Sequence, residues 1–544
     1  MVRKLEYKPL LYTTTMRNPE RLKFMLYVLA KYKGQILNDN LATEIVGETI
    51  RYGLYRPMKQ NESIKAKWKS TNNGTFSDFL LNDDEVCFML KNNPQHHKEA
   101  GFGWGFPSRF ATIYDLTKEL GLAYFTPSES IVISELGEHL LKSIEVNIEG
   151  ENIFCDVKNP EYEQQVFLQA MAKSQRKNPF VRVLNDNIPL ILLLQTIMLL
   201  NADVNQNGAG ISRRELPLLI FWKNSDANAL YERIVKLRKD FGYDPSDEVI
   251  IDICIKEIME GNYKKFDAQS IMNDYVDEFI RKMRITGLIS LRGAGHFIDI
   301  NKNELEKVEY VISNYSNYQV FSDEKKYFAH VAELDKNLIQ IQAIPIQPTK
   351  AENLLNDWLK TYNWTSIKNE LGILSSGKTS KDDVLKFISA PSRLEFLTAL
   401  AIKSQMPNIH VLPNYSCDDT GLPTSTAGGN KGDIECYEER NGVLVEVTMA
   451  TGRTQTMMEI WPIERHLTEF QKNQTSQCVF VAPSIYSDSR RQIEFVSYSS
   501  NGEKQIRPYS IDEFIGYLEL NTCLYQDNKT NFGLVAEPVP VYGN

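Results

Sequence analysis

Two hydrophobic periods alternate along the chain, and each predicts its own kind of element. Residues 188–200 are apolar on nearly every side, which suits a helix buried all round. Residues 111–122 instead carry apolar positions at helical spacing and stop at Gly121. Two short apolar pieces at 123–125 and 130–133 follow as a hairpin, and Glu135 opens another helix. That order of helix, strand, turn and strand recurs at 277–300, where Gly287 ends the helix and the hairpin tip is basic and glycine-bearing. Helical patterning also extends through 76–81. Ser212 reads as the cap of a helix whose first turn holds Arg213 and Arg214. Past about residue 355 the two periods alternate. A helix is expected at 391–400, a strand at 408–413, and a hairpin with arms 432–437 and 442–448 around the turn pair Asn441-Gly442. A helix from Thr454 toward Phe470, bent at Pro462, and a buried strand at 477–483 complete the series.

This grammar predicts a multidomain chain. Its N-terminal region is mainly α with winged-helix-like modules, and its C-terminal domain is α/β with a mixed central sheet. The expected divisions are 1–105, helical and basic; 106–200, winged-helix-like; 201–340, helical plus winged-helix-like; a linker at 341–355; and the α/β domain at 356–544. The linker is placed by Pro345 and Pro348 in a stretch with little charge.

Composition narrows the class. A chain of 544 residues is too long for one core, and its 42% hydrophobic and 24% charged content is that of soluble globular protein. No apolar run approaches the roughly 20 residues a membrane helix needs, and the first residues lack a signal-peptide pattern. Seven scattered cysteines without a Cys-x-x-Cys pair indicate neither a disulfide framework nor a zinc site. A cytoplasmic protein is expected, with no membrane partner.

Charge changes the picture more. The net charge is −9, yet residues 1–70 hold fourteen Lys and Arg against six acids. Such a local excess suits a polyanion, here double-stranded DNA, although it also suits a solvated face balanced by acids nearby in space. Arg51, Arg56, Lys65, Lys67 and Lys69 are interleaved with Tyr52, Tyr55 and Trp68, and Arg109 follows the aromatic glycine loop 101–105. Basic groups neutralise phosphates while aromatic rings pack on sugars or bases. Arg213 and Arg214 oppose a helix dipole where they stand, which points to phosphate rather than helix stability. With Arg292 on the second hairpin tip, these are the candidate DNA contacts. Winged helices serve equally as protein-interaction modules.

The densest chemistry lies in the C-terminal hairpin. Asp433 and Glu446 are thirteen positions apart. On antiparallel arms that spacing lets a residue at the open end of one arm approach a residue late in the other. Two carboxylates meeting there repel unless a divalent cation neutralises them, and such a cation activates water against a phosphodiester. Acids in a hairpin are also commonly solvated surface. A competing motif, 372–379, fits G-x-x-x-x-G-K-[ST], but the residues before it are helical and charged where a phosphate loop needs a strand. A strand at 249–252 would offer that loop an aspartate, in another domain.

Helix, acid-bearing hairpin, helix and strand in this order resemble the PD-(D/E)xK nuclease core. Glu395, Asp433, Glu446, Glu459 and His466 resemble the active-site series of the AlwI-type type IIS restriction endonucleases, the group of the BstNBI-like nicking enzyme and of MlyI and PleI. The resemblance extends to the whole chain, with recognition modules, a linker and a nuclease domain at 356–544. It implies Mg2+ held by Asp433, Glu446 and the Val447 carbonyl. Glu395 would support it through a water or a second ion, and Glu459 or His466 would act on the nucleophile or leaving group. It implies cleavage outside a short asymmetric site, a second nuclease subunit or transient homodimer for double-strand cutting, and a cognate DNA methyltransferase in the same system. One departure stands out. Thr448 occupies the place of the superfamily's lysine and cannot carry charge. Two other functions fit parts of the chain: a non-catalytic winged-helix DNA-binding regulator, and a P-loop ATPase.

Overall fold

A computed structural model of the chain describes residues 5–10, 21–69, 71–72, 76–206, 208–262, 270–341, 351–428, 431–438, 441–472 and 475–526. They fall into two compact units, one of residues 1–290 with 296–347 and the other of 291–295 with 348–544. Most of the expected linker, 342–350, lies outside the described residues, and from Ala351 the chain is already helical. Among the described residues no helix is long and apolar enough to cross a membrane.

The first unit is mainly helical. The helix Pro189–Ala202 buries Leu190 to Leu194, Ile197 and Leu200, as its all-round apolarity requires. Helix Phe106–Glu119 leads to the paired strands Ala123–Tyr124 and Val132–Ile133, and then to helix Glu135–Leu141, capped by Ser134. Three local expectations are corrected. Residues 76–81 are not helical. Phe76–Ser77 is a short strand, and the next helix waits for Asn82, whose side chain forms a capping box with Glu85. Ser212 ends a strand, Ile211–Ser212, that pairs with Phe297–Ile300. Arg213 and Arg214 therefore lie in a turn before the helix Leu216–Phe221, whose start is set by Pro217, a residue that fits only a first turn. Residues 249–252 belong to helix Asp247–Asp252 rather than to a strand.

The second unit is built on a five-stranded mixed sheet. In spatial order its strands are β1 (His410–Pro413), β2 (Ile434–Glu438), β3 (Asn441–Val447), β4 (Thr475–Ala482) and β5 (Ile506–Ser510). The pairs β1/β2 and β2/β3 are antiparallel, whereas β3/β4 and β4/β5 are parallel. Parallel neighbours need crossovers. The helices are α1 (Ala351–Thr361), α2 (Trp364–Ser375), α3 (Ala390–Gln405), α4 (Gly452–Met458), α5 (Ile460–Phe470), α6 (Ser487–Ser499) and α7 (Ile511–Leu520). Helices α4 and α5 join β3 to β4, and α6 joins β4 to β5.

Alternation along β3 sorts its side chains between two cores. Val443 and Val445 pack with Leu397, Leu400 and Phe514. Leu444 packs on the other face with Ile463, Leu467 and Ile493. Glu446 is the next residue on the Leu444 side, so the strand's period aims an acid toward α5. Two details of the expected hairpin change. Asn441 and Gly442 are not the turn; they pair with Glu438 and Tyr437 within the ladder. Residues 439–440, between the two arms, lie outside the described residues. The following helix breaks at Glu459 between α4 and α5, while Pro462 sits in the first turn of α5, where a missing N–H costs little.

Candidate active site

The register of β2 and β3 pairs Ile434 with Val445. One step further along that register sets Asp433 opposite Glu446, on one face of the sheet. Asp433 turns inward and accepts a hydrogen bond from the Val447 N–H at 2.8 Å. Glu446 is only 5% exposed and is bonded to His466 Nδ1 of α5 at 2.9 Å. Glu395 comes from α3, is 3% exposed, and accepts from the Ala427 N–H at 3.1 Å. Gly432 makes the close approach possible. A Cβ there would lie 2.3 Å from Leu444 Cδ1 and 2.9 Å from Glu446 Oε1.

These acids disturb one another. Burial pushes the Glu395 carboxyl up to about 7, with nearby Glu446 adding to the rise and the Ala427 N–H opposing it. Asp433 is held well above the ordinary carboxylate range by burial, then by Glu446 and by Glu395. Glu446 is raised by burial as well, against the pull of His466. Asp433 and Glu446 face each other across the two strands, so burying both charges together is unfavourable and the pair is raised. Among the described residues no three His, Cys, Asp or Glu side chains are already gathered as a metal group. Mg2+ does not require one, since it commonly takes one or two carboxylates and keeps several waters. Paired hard oxygen donors that resist full ionisation fit such a cation. At Val447 the group that meets Asp433 is the amide N–H.

Glu459 enters from the α4–α5 junction. Its Oε1 accepts from the Thr448 hydroxyl at 3.0 Å. Of the five expected residues, Glu446 meets His466 and Glu459 meets Thr448, while Asp433 and Glu395 are held by the backbone N–H groups of Val447 and Ala427. Thr448 stands at the place of the superfamily's lysine, and its hydroxyl link spans eleven residues and leaves no local pattern. The Tyr415 hydroxyl is buried without a hydrogen-bond partner, and burial first, then nearby Cys417 and Glu395, push it up; no local pattern marks it.

The basic candidates meet a different fate. Arg51 is bound by Glu48 at 2.6 Å, the Leu81 carbonyl at 2.7 Å and Asp83 at 2.5 Å. Arg56 donates to the Gly53 and Trp68 carbonyls and lies over the Trp68 ring. Lys67 sits between Glu85 and Glu151, each at 2.8 Å. Arg109 bonds Gln95 and covers Tyr55, and Arg214 is held by Asp244 and Asp247. Lys65 pairs with Glu62 in an exposed contact, and Lys69 is exposed. The Arg213 N–H donates to the His296 carbonyl at 2.8 Å, and Arg292 belongs to the second unit. The phosphate-loop motif is the end of a helix: Gly372 lies inside α2, and Gly377 turns the chain away at φ +67°. The residues leading into it, from Trp364, are helical rather than a strand, and that rival loses its structural basis.

The family model described as AlwI restriction endonuclease matches residues 118–390 and 377–517. Among solved structures, the chain is similar to the small subunit (R.BspD6I2) of the heterodimeric restriction endonuclease R.BspD6I, at 23% identity over 30% of this chain and 83% of that one, with a TM-score of 0.25. It is also similar to restriction endonuclease FokI, at 12% identity over 96% and 97% of the two chains, with a TM-score of 0.25. No curated protein matches the chain.

Proposed function

The chain belongs to the AlwI restriction endonuclease family, and we propose that it is a type IIS site-specific enzyme with a PD-(D/E)xK nuclease domain. It would bind a short asymmetric duplex site through its N-terminal winged-helix-like modules and hydrolyse a phosphodiester a few base pairs outside it. The observation that carries the reading is the group of buried acids at the end of a mixed sheet, Asp433 and Glu446 facing across β2 and β3 and Glu395 coming from α3.

Asp433, Glu446 and the Val447 carbonyl would hold Mg2+, with Glu395 supporting it through a water or a second ion. When bound, Mg2+ supplies positive charge against the phosphate and makes water a better nucleophile. The Val447 N–H fixes the Asp433 carboxylate, and the His466 ring, tied to Glu446, keeps that side chain in place. Glu459 or His466 would position the attacking water or give a proton to the leaving oxygen. In-line attack would leave 5′-phosphate and 3′-hydroxyl ends.

One such site cuts one strand, so double-strand cleavage needs a second nuclease domain, from a homodimer or a partner subunit. Digestion of supercoiled plasmid tests the reading. Cleavage with Mg2+ that stops with chelator is expected, open circles marking a nickase and direct linearisation a dimer or added subunit. Plasmid left intact with Mg2+ would favour the DNA-binding regulator instead. Lys378→Ala is expected to cleave like the parent.

A further inference from the structure

Thr448 sits directly after β3, two residues beyond Glu446, and its backbone is pinned by its N–H donating to the Val481 carbonyl at 3.0 Å. Its hydroxyl has one proton and two lone pairs. The Ala450 N–H donates to that oxygen at 3.0 Å, so a lone pair is occupied, and Glu459 Oε1 lies at 3.0 Å, where only the proton can serve. The hydroxyl proton is therefore committed to the Glu459 carboxylate.

Glu459 is held from its own side as well. Its N–H donates to the Gln455 carbonyl at 3.1 Å. Gln455 is fully buried, and its side chain donates to the Ala450 carbonyl at 3.0 Å and the Ser484 carbonyl at 2.9 Å, while accepting from the Tyr486 N–H at 2.9 Å. Thr448, Ala450, Gln455 and Glu459 thus close a ring of hydrogen bonds. Ala450 is gripped at its N–H by Thr448 and at its carbonyl by Gln455. The helix break at Glu459, with φ −107° and ψ −46°, lies on that ring.

We infer that Thr448 is a positioning residue whose hydroxyl fixes the Glu459 carboxylate at the end of β3, two residues beyond Glu446, so that this carboxylate stands in for the absent lysine. The inference rests on the nuclease reading above. A lysine would bring its own charge to this edge of β3. Threonine instead brings a second residue's carboxylate there and holds it still. The chemical consequence is an acceptor for a water proton where a cation would otherwise orient the water. A side chain locked by a neighbour gains its effect from geometry, and a misplacement of about 1 Å costs on the order of 10²-fold in rate.

The test is single-turnover cleavage, with DNA affinity and thermal melting, on Thr448→Val, Thr448→Ser, Glu459→Gln and Thr448→Val with Glu459→Gln. Thr448→Val is expected to lower kcat by about 10²-fold with KM and DNA affinity unchanged. Thr448→Ser, which keeps the hydroxyl, should return the rate to within a few-fold of the parent. In the Glu459→Gln background, valine should cost little more. An unslowed Thr448→Val, a Thr448→Ser as slow as valine, or a full additional loss in the Glu459→Gln background would each overturn the assignment. Should the valine variant not fold, the serine rate and its melting temperature decide alone: parent-like supports, slow in a stable protein refutes. Asp433→Ala run alongside separates the two levels. If it still cuts, the nuclease site itself is misplaced; if it is dead while Thr448→Val is fast, only the positioning role fails.

Discussion

Three basic side chains of the first hundred residues and the acids at the end of β3 are all at least partly buried, yet their surroundings are opposite. Arg51, Arg56 and Lys67 are ringed by acceptors. Glu85 shows the result: burial would raise its carboxyl, but Lys67, Ser63 and the Asn82 N–H hold it below its ordinary range. Glu395, Asp433 and Glu446 are raised, first by burial and, for Glu395 and Asp433, by the neighbouring acids as well, with His466 at Glu446 opposing the rise. A charge that finds its counter-charge within the chain builds the fold, whereas a cluster that does not is kept for an outside partner. The difference separates scaffold from site in a molecule where both look equally polar.

The largest effect that would sharpen this contrast is at Glu446. Glu446→Gln keeps the shape and removes the charge, and is expected to lower cleavage by about 10³-fold while DNA binding survives, measured by plasmid nicking and gel shift. Retained cleavage would erase the contrast from the acidic side. Next comes Gly432→Ala, which adds no charge at all. Its methyl would meet Leu444 at 2.3 Å and Glu446 Oε1 at 2.9 Å. We expect a loss of about 1–3 kcal/mol in chemical denaturation, with cleavage reduced per folded molecule.

On the basic side, Arg51→Ala should act on stability. Its three partners are left over, but the side chain is partly exposed, so about 1–2 kcal/mol is expected rather than the cost of a fully buried pair. DNA affinity at fixed salt should change little. A loss of affinity without a loss of stability would move Arg51 from scaffold to interface. The smallest effect is at Lys65, whose pair with Glu62 is exposed. Lys65→Ala should leave melting unchanged; if the residue meets a phosphate, the slope of log affinity against log salt falls by about 1.

How much of this was legible from residues alone follows the range of the interactions. The apolar period of β3 and the spacing of Asp433 and Glu446 are local, and they led to the two facing acids. The turn was misplaced because Asn441 and Gly442 have turn chemistry but are held in the ladder: Gly442 is buried opposite Tyr437, whose ring packs near Phe470. The pairings of Arg51 with Asp83 and of Lys67 with Glu151 span tens of residues, so basic and aromatic interleaving looked like a DNA surface when much of it is internal bracing. Glu459 was expected on an α-helix shared with His466; the break at Glu459 gives each its own partner instead.

The acids themselves carry the most direct test, because raised carboxyls make stability depend on pH with a definite sign. The unfolded chain loses these protons near pH 4–4.5, while the folded site keeps them, Glu395 up to about 7. Between those values the folded state binds more protons, so the metal-free protein loses stability as pH rises from about 4.5 to 7 and stays lowered above. A divalent cation at the site would reverse that loss by replacing the protons. The decisive measurement is therefore the melting temperature with and without Mg2+ at pH 6 and pH 8, for the parent and for Asp433→Ala. The account predicts a larger Mg2+ gain at pH 8 than at pH 6 in the parent, and almost none in Asp433→Ala. An equal gain in both proteins, or no gain in either, would contradict it.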